Sequence, residues 1–327
     1  MDEITLERLE DIDKIEQLIE YIERFYPGLT IESYTIETIE RALFHTYIKL
    51  IGRIIMNSPR TMRLFLKNYL TKYEIMNIKQ IVLGTILRLN INEKSKFVNK
   101  LVEKYLNNTE FINGLLEITS LDQIQLYMKP TKYNRAIREG ILYFKNTKEI
   151  FVLEAFLDKL YYEIMAKEVK FLNLKEKIMI SFYVNYISEI YNLNIIHRGI
   201  KNNIDRNLLS QFLVNNYMFL NKNSLNELLN LTNINDFVTS LSEFLIRNKE
   251  IRSYLLQSPL KGKHLFWEIE KLYQDNFFKT FHEKIDDIEY QSIFRIMELL
   301  IKKDKEIKIH VLPKVVDILH EKYKVLN

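Results

Sequence analysis

The chain contains no cysteine, and only seven glycines and five prolines are spread over its 327 residues. Without thiols there is neither a disulfide framework nor a thiolate metal site, and such usage fits a reducing compartment. All-β and doubly wound α/β folds need many tight turns, so the scarcity of glycine and proline favours long helices. No stretch approaches the ~18 uninterrupted apolar residues of a membrane span, so direct membrane insertion is not expected. The opening MDEITLERLED is acidic where a secretory signal is basic and then apolar. Glycine-rich phosphate loops are missing: neither G-x-x-x-x-G-K nor G-x-G-x-x-G occurs, so nucleotide hydrolysis has no visible apparatus. The histidines at 45, 197, 264, 282, 310 and 320 show no metal-ligand spacing, and no cofactor or metal is expected.

Apolar residues make up 47% of the chain, enough for a substantial core. The net charge is +4, but Lys and Asp/Glu read as interleaved. The abundant Ile, Asn and Lys resemble the coding bias of an AT-rich genome, so the basic balance is discounted and no nucleic-acid partner is expected. The run Lys302, Lys303, Lys305, flanked by Asp304 and Glu306, reads as a solvated helix end.

The informative feature is repetition. EIMNIKQIVLG (74–84) and EIYNLNIIHRG (189–199) share the pattern E-I-x-N-[IL]-x-x-I-x-x-G, and EIKIHVLPKVV (306–316) is a degraded third copy. Upstream of each lies an apolar-E-x-x-L-x-x-x-Y segment: IERALFHTYI (39–48), LEAFLDKLYY (153–162) and IEKLYQDNFF (269–278). Before those come LERLEDIDKI (6–15), LLEITSLDQI (115–124) and LLNLTNINDF (228–237). The order is the same each time at a period near 115, too long for a solenoid of small repeats. Three related all-α subdomains are predicted, near 1–93, 94–207 and 208–327.

Each repeated element reads as helix. Glu154, Leu157, Tyr161 and Tyr162 fall on one face of a 3.6-residue period, as do Ile75, Ile78 and Val82. Ser58-Pro59 and Ser258-Pro259 read as helix starts, and Thr71-x-x-Glu74 as a capping box or the interior of a continuing helix. Pro313, with Ile309 at the place of the motif asparagine, predicts a kink or break in the third copy. Strand content should be near zero.

With these residues in view, the chain resembles the C subunit of prokaryotic V/A-type rotary ATPases, relatives of the vacuolar ATPase d subunit. LKNYLTKYEIMNIKQIVLGTI and VNYISEIYNLNIIHRGIK are similar to that family's acidic-apolar-x-Asn helices, LEAFLDKLYY to its L-E-x-x-L-D segment, and FRIMELLIKKDKEIKIHVLPKVVDILHEKY to its C-terminal helix pair. The resemblance implies three helical subdomains around a pseudo-threefold axis, forming a funnel that receives the central-stalk subunits and rests on the membrane rotor ring. It implies a non-catalytic coupler, peripheral at the cytoplasmic face of the membrane. The other reading is a general α-helical scaffold unrelated to a rotary ATPase.

The signature residues are Glu74, Asn77, Gly84, Glu154, Leu157, Asp158, Tyr161, Glu189, Asn192, Arg198, Gly199, Glu270 and Glu306. Glu and Asn at i and i+3 share a helix face, so they could hold an ion or polar ligand together; the other reading is inter-helix packing. Gly84 and Gly199 suit close helix approach or a helix end, and Arg198 a local salt bridge. Family members usually open with a lead-in segment, which units two and three carry at 92–106 and 205–220. Unit one lacks it here, so Leu6, Leu9 and Ile12 are expected to be exposed, within the least protected helical region (residues 1–28).

Overall fold

A computed structural model describes residues 1, 3–169, 174–257, 259–260, 265–286 and 291–324, and among them there is no β-strand. The helices are α1 (Glu3–Glu10), α2 (Ile15–Glu23), α3 (Ile36–Asn57), α4 (Arg60–Ile86), α5 (Ile91–Ser95), α6 (Lys100–Leu106), α7 (Thr109–Glu117), α8 (Leu121–Met128), α9 (Asn134–Thr147), α10 (Ile150–Glu168), α11 (Leu174–Lys201), α12 (Arg206–Phe212), α13 (Lys222–Leu229), α14 (Ile234–Arg247), α15 (Lys249–Gln257), α16 (Leu265–Asp286), α17 (Gln291–Lys305) and, after a π-helical stretch at Glu306–Val311, α18 (Leu312–Lys324). The composition explains how the helices start. Asn90, Asn99, Asn221 and Asn233, with Thr35, Ser120 and Asp205, each accept a backbone N–H of the following first turn.

The chain forms two compact units, residues 1–66 with 290–327, and residues 67–289. In the first, α18 packs against α2 and α3, and α17 against α3. Leu18, Ile22, Leu43, Ile51, Ile307, Val311 and Val315 are all fully buried, and the Tyr47 hydroxyl donates to the Leu300 carbonyl at 2.8 Å. In the second, α9 and α10 pair closely, as do α11 and α16. Phe277 stacks on Tyr186 at 4.3 Å and on Phe281 at 5.0 Å within that core.

Several expectations change. Leu9 is 1% exposed and Leu6 and Ile12 are half-buried, so the first helix is covered after all. Helix α18 lies on α2, and Lys314 donates to the Glu10 carbonyl at 2.6 Å. The first repeated element is two helices with a break between them, not one. Ser120 and Asn233 sit in that break and cap the second helix, a side-chain–backbone bond that competes with helix continuation. The lead-in at 205–220 is helical only as far as Phe212. Ser58 ends α3, its hydroxyl donating to the Ile54 carbonyl, and does not start α4; Ser258 lies outside the described residues. Thr71 sits inside α4 and caps nothing. At Pro313 the helix does not break. The preceding turn widens to a π-helix, with the Leu312 N–H bonded to the Ile307 carbonyl, which relieves the clash a proline makes in an α-helix.

Candidate functional site

Glu74 and Asn77 share a face of α4, but they serve different partners. The Asn77 amide closes a ring with the backbone of Asn99, accepting its N–H at 2.9 Å and donating to its carbonyl at 3.1 Å. Asn192 does the same to Val214, at 2.9 and 2.8 Å. Both partners lie 22 residues after the asparagine. An amide side chain presents one donor and one acceptor side by side, so it satisfies both groups of one backbone residue as a neighbouring strand does. Each motif asparagine therefore pins the returning chain to its long helix.

The motif glutamates are fully buried and solve one problem in two ways. Glu189 accepts the N–H groups of Met218, Phe219 and Leu220 at 2.6–3.1 Å and the Tyr273 hydroxyl at 2.7 Å. Residues 213–221 are not helical there, so their N–H groups are free to donate. Burial pushes the Glu189 carboxyl up, and these bonds pull it down. Around Glu74 the corresponding stretch is helix α6, whose N–H groups are already committed. Side chains replace them: Asn108 Nδ2 at 2.6 Å, the Tyr133 hydroxyl, and Lys132 Nζ at 3.0 Å. The Tyr133 and Tyr273 hydroxyls are both driven well above the ordinary tyrosine range, first by burial and then by the glutamate each one faces. In the third copy Glu306 is buried with Lys303 at 2.8 Å and the Met1 amino group. Tyr26 is raised by burial and then by Glu306, although its hydroxyl makes no well-formed hydrogen bond among the described residues.

The glycines also act alike. A Cβ on Gly84 would lie 2.6 Å from Lys94 Cγ, and one on Gly199 2.3 Å from Leu209 Cδ1. In both copies the residue ten positions on crosses the helix where the glycine opens a gap. Lys94, 1% exposed, continues to the Ile118 carbonyl at 2.7 Å and caps the end of α7. The remaining signature residues fall on α10, α11 and α16. Asp158 pairs with Lys79 of α4 at 2.7 Å. Glu154 is 3.8 Å from Arg198, whose guanidinium lies 4.5 Å over Phe151. Leu157 and Tyr161 are buried, Tyr161 edge-on to Tyr162, and Tyr162 stacks on Tyr191 at 4.2 Å. Glu270 is half-buried on α16.

Sequence reasoning missed Glu103, which is fully buried and accepts Asn77 Nδ2 at 2.9 Å. Burial pushes its carboxyl up to about 7; Asn77 opposes this, Glu74 adds to it and Lys132 opposes it. No spacing announces it, because in the second copy Met218 stands at the matching place.

Glu74, Glu189 and Glu306 are each buried and bonded to groups of their own chain. Residues 1–309 match the protein family described as ATP synthase (C/AC39) subunit. The chain belongs to that family. Among curated relatives it is similar to the C subunit of the A-type ATP synthase of Pyrococcus furiosus, 24% identical over 184 residues, covering 56% of this chain and 47% of the relative. The Methanocaldococcus jannaschii protein of the same name is 25% identical over 225 residues (65% and 53%), and that of Methanosphaera stadtmanae 23% over 211 residues (64% and 53%). The chain spans about half the length of the curated relatives it matches. Among the described residues of this C/AC39 family member, no helix is long and apolar enough to cross a membrane.

Proposed function

We propose that the chain is a non-catalytic rotor component of an A/V-type ATPase. In this reading three related helical units, near 1–93, 94–207 and 208–327, form a socket that receives the central stalk and rests on the ion-carrying ring, peripheral at the cytoplasmic face of the membrane. The observation that carries the reading is the fate of Glu189. A carboxylate that accepts three backbone N–H groups and a tyrosine hydroxyl has no lone pair to spare for general-base work and acts as a strut. Struts of this kind suit a part that transmits torque, because fully satisfied buried networks stiffen the helices they join. Family membership supplies the machine to which such a part would belong.

Co-purification from native membranes tests it. The tagged chain is expected to bring down the catalytic and ring subunits of a rotary ATPase, and calorimetry of the isolated chain with ATP to give no binding heat. Recovery with soluble proteins only, and no ATPase subunits, would establish the scaffold reading in its place.

A further inference from the structure

The net charge of +4 is not spread evenly. Residues 129–148 hold six basic side chains (Lys129, Lys132, Arg135, Arg138, Lys145 and Lys148) and one acidic, Glu139. Residues 41–73 form a second basic run, seven Lys or Arg with no Asp or Glu, so the charge is not evenly interleaved. The fold gathers residues 129–148 at the corner between α8 and α9. Helix α9 buries Ala136, Ile137, Gly140, Ile141 and Phe144, and Gly140 lets it approach α10 so closely that a Cβ there would lie 3.1 Å from Leu153 Cα. Its opposite face carries Arg135, Arg138, Leu142 and Lys145 at offsets 0, 3, 7 and 10, all exposed.

Two large apolar side chains stand in these basic surroundings: Leu126 of α8 is 70% exposed and Leu142 of α9 58%. Beside them opens a cleft of about 420 Å³ lined by Asp122, Gln125, Leu126, Lys129, Asn134 and Arg138. Lys145 pairs with Asp122, and Arg138 with Glu139 at 2.7 Å. Such exposed pairs are weak and exchangeable. Lys129 and Arg135 form no ion pair among the described residues.

We infer that the α8–α9 cleft is a docking surface for an acidic amphipathic helix of a partner protein, whose carboxylates meet Lys129, Arg135 and Arg138 while its apolar side covers Leu126 and Leu142. Charge complementarity selects an acidic partner. The exposed leucines, Leu126 lining the cleft and Leu142 on the exposed face of α9, select one with an apolar stripe, since exposed apolar surface set in a polar rim marks a contact site. A cleft between two helices admits a third helix by its i, i+3, i+4 anchors. A flat bilayer cannot enter it, and leucines give bases no stacking platform.

The test uses the full chain and a labelled synthetic helix with Glu and Leu at i, i+3, i+4 spacing, followed by fluorescence anisotropy. Vesicles of equal parts phosphatidylglycerol and phosphatidylcholine, and a short DNA duplex, are run beside it. Saturable binding of the acidic helix is expected, weakening as salt rises. The double variant Arg135→Glu/Arg138→Glu should lose about tenfold or more in affinity. Leu126→Ala/Leu142→Ala, which leaves the charge intact, should also weaken it; melting curves confirm that both variants fold. The inference is overturned if the peptide shows no saturable binding or if neither variant weakens it. Binding of the vesicles or the duplex in place of the peptide, abolished by charge reversal, would make the surface one for lipid or nucleic acid and would equally overturn it.

Discussion

Glu103 shows how a single buried group can set a measurable property of the whole chain. Its carboxyl has one hydrogen-bond donor, Asn77, and its second oxygen has no partner among the described residues. Glu74, Lys132 and Tyr133 complete its surroundings. With a folded value of about 7 against an ordinary 4.5, the native state holds a proton that the unfolded state releases. Its stabilising contribution is therefore fully present below pH 4.5 and is lost as pH rises to about 7, a change of roughly 3 kcal/mol for this site alone. Glu103→Gln carries a permanently neutral amide and should flatten that part of the profile. Urea unfolding of parent and variant should show the variant gaining on the parent between pH 5 and pH 8, and parallel curves over that range would refute the assignment. Asn192 differs in kind from Asn77: its amide is hydrogen-bonded to the backbone of Val214, whereas Asn77 bonds the backbone of Asn99 and also donates to Glu103.

At the scale of elements, the repeated motif is a joint that fixes a long helix to the segment that returns beside it. Glu anchors the segment, Asn pins it 22 residues on, and Gly admits the side chain that crosses. The crossing residue differs, Lys94 in one joint and Leu209 in the other, yet the gap is the same. Gly84→Ala and Gly199→Ala should each cost about 1–3 kcal/mol by overpacking. At Gly199 the cost should be partly recovered by Leu209→Ala, because the two side chains compete for one space. Denaturant midpoints check this: a double variant that loses the full sum of the single losses would mean that the crowding lies elsewhere. The third joint lacks both Asn and Gly, having Ile309 and Val316, and there a π-turn and an ion pair from Lys303 hold Glu306 instead.

On the scale of the molecule, one compact unit is assembled from both ends of the chain. Helices α2 and α3, which bury Leu18, Ile22 and Leu43, pack against α18, and α3 also against α17. Val315→Asp would set an unpaired charge in that core, a change that costs several kcal/mol. Hydrogen exchange should then quicken in α2 and α3, while α10 and α11, in the other unit, keep their protection. Equal loosening in both units would show that they do not open separately.

The sequence by itself determined the helices, their order and the repetition of a Glu-Asn-Gly joint, because helix periodicity and capping are local and are written within a few turns of chain. It also marked Glu74, Asn77, Glu189 and Asn192 as the residues on which the joints are built, since these recur at fixed spacing. Only the tertiary structure decided what they bind. Tyr133 and Tyr273 reach their glutamates from 59 and 84 residues away, and α18 covers the first helices from nearly the full chain length. Partners that far apart share no periodicity, so burial and hydrogen-bond satisfaction choose them when the chain closes on itself.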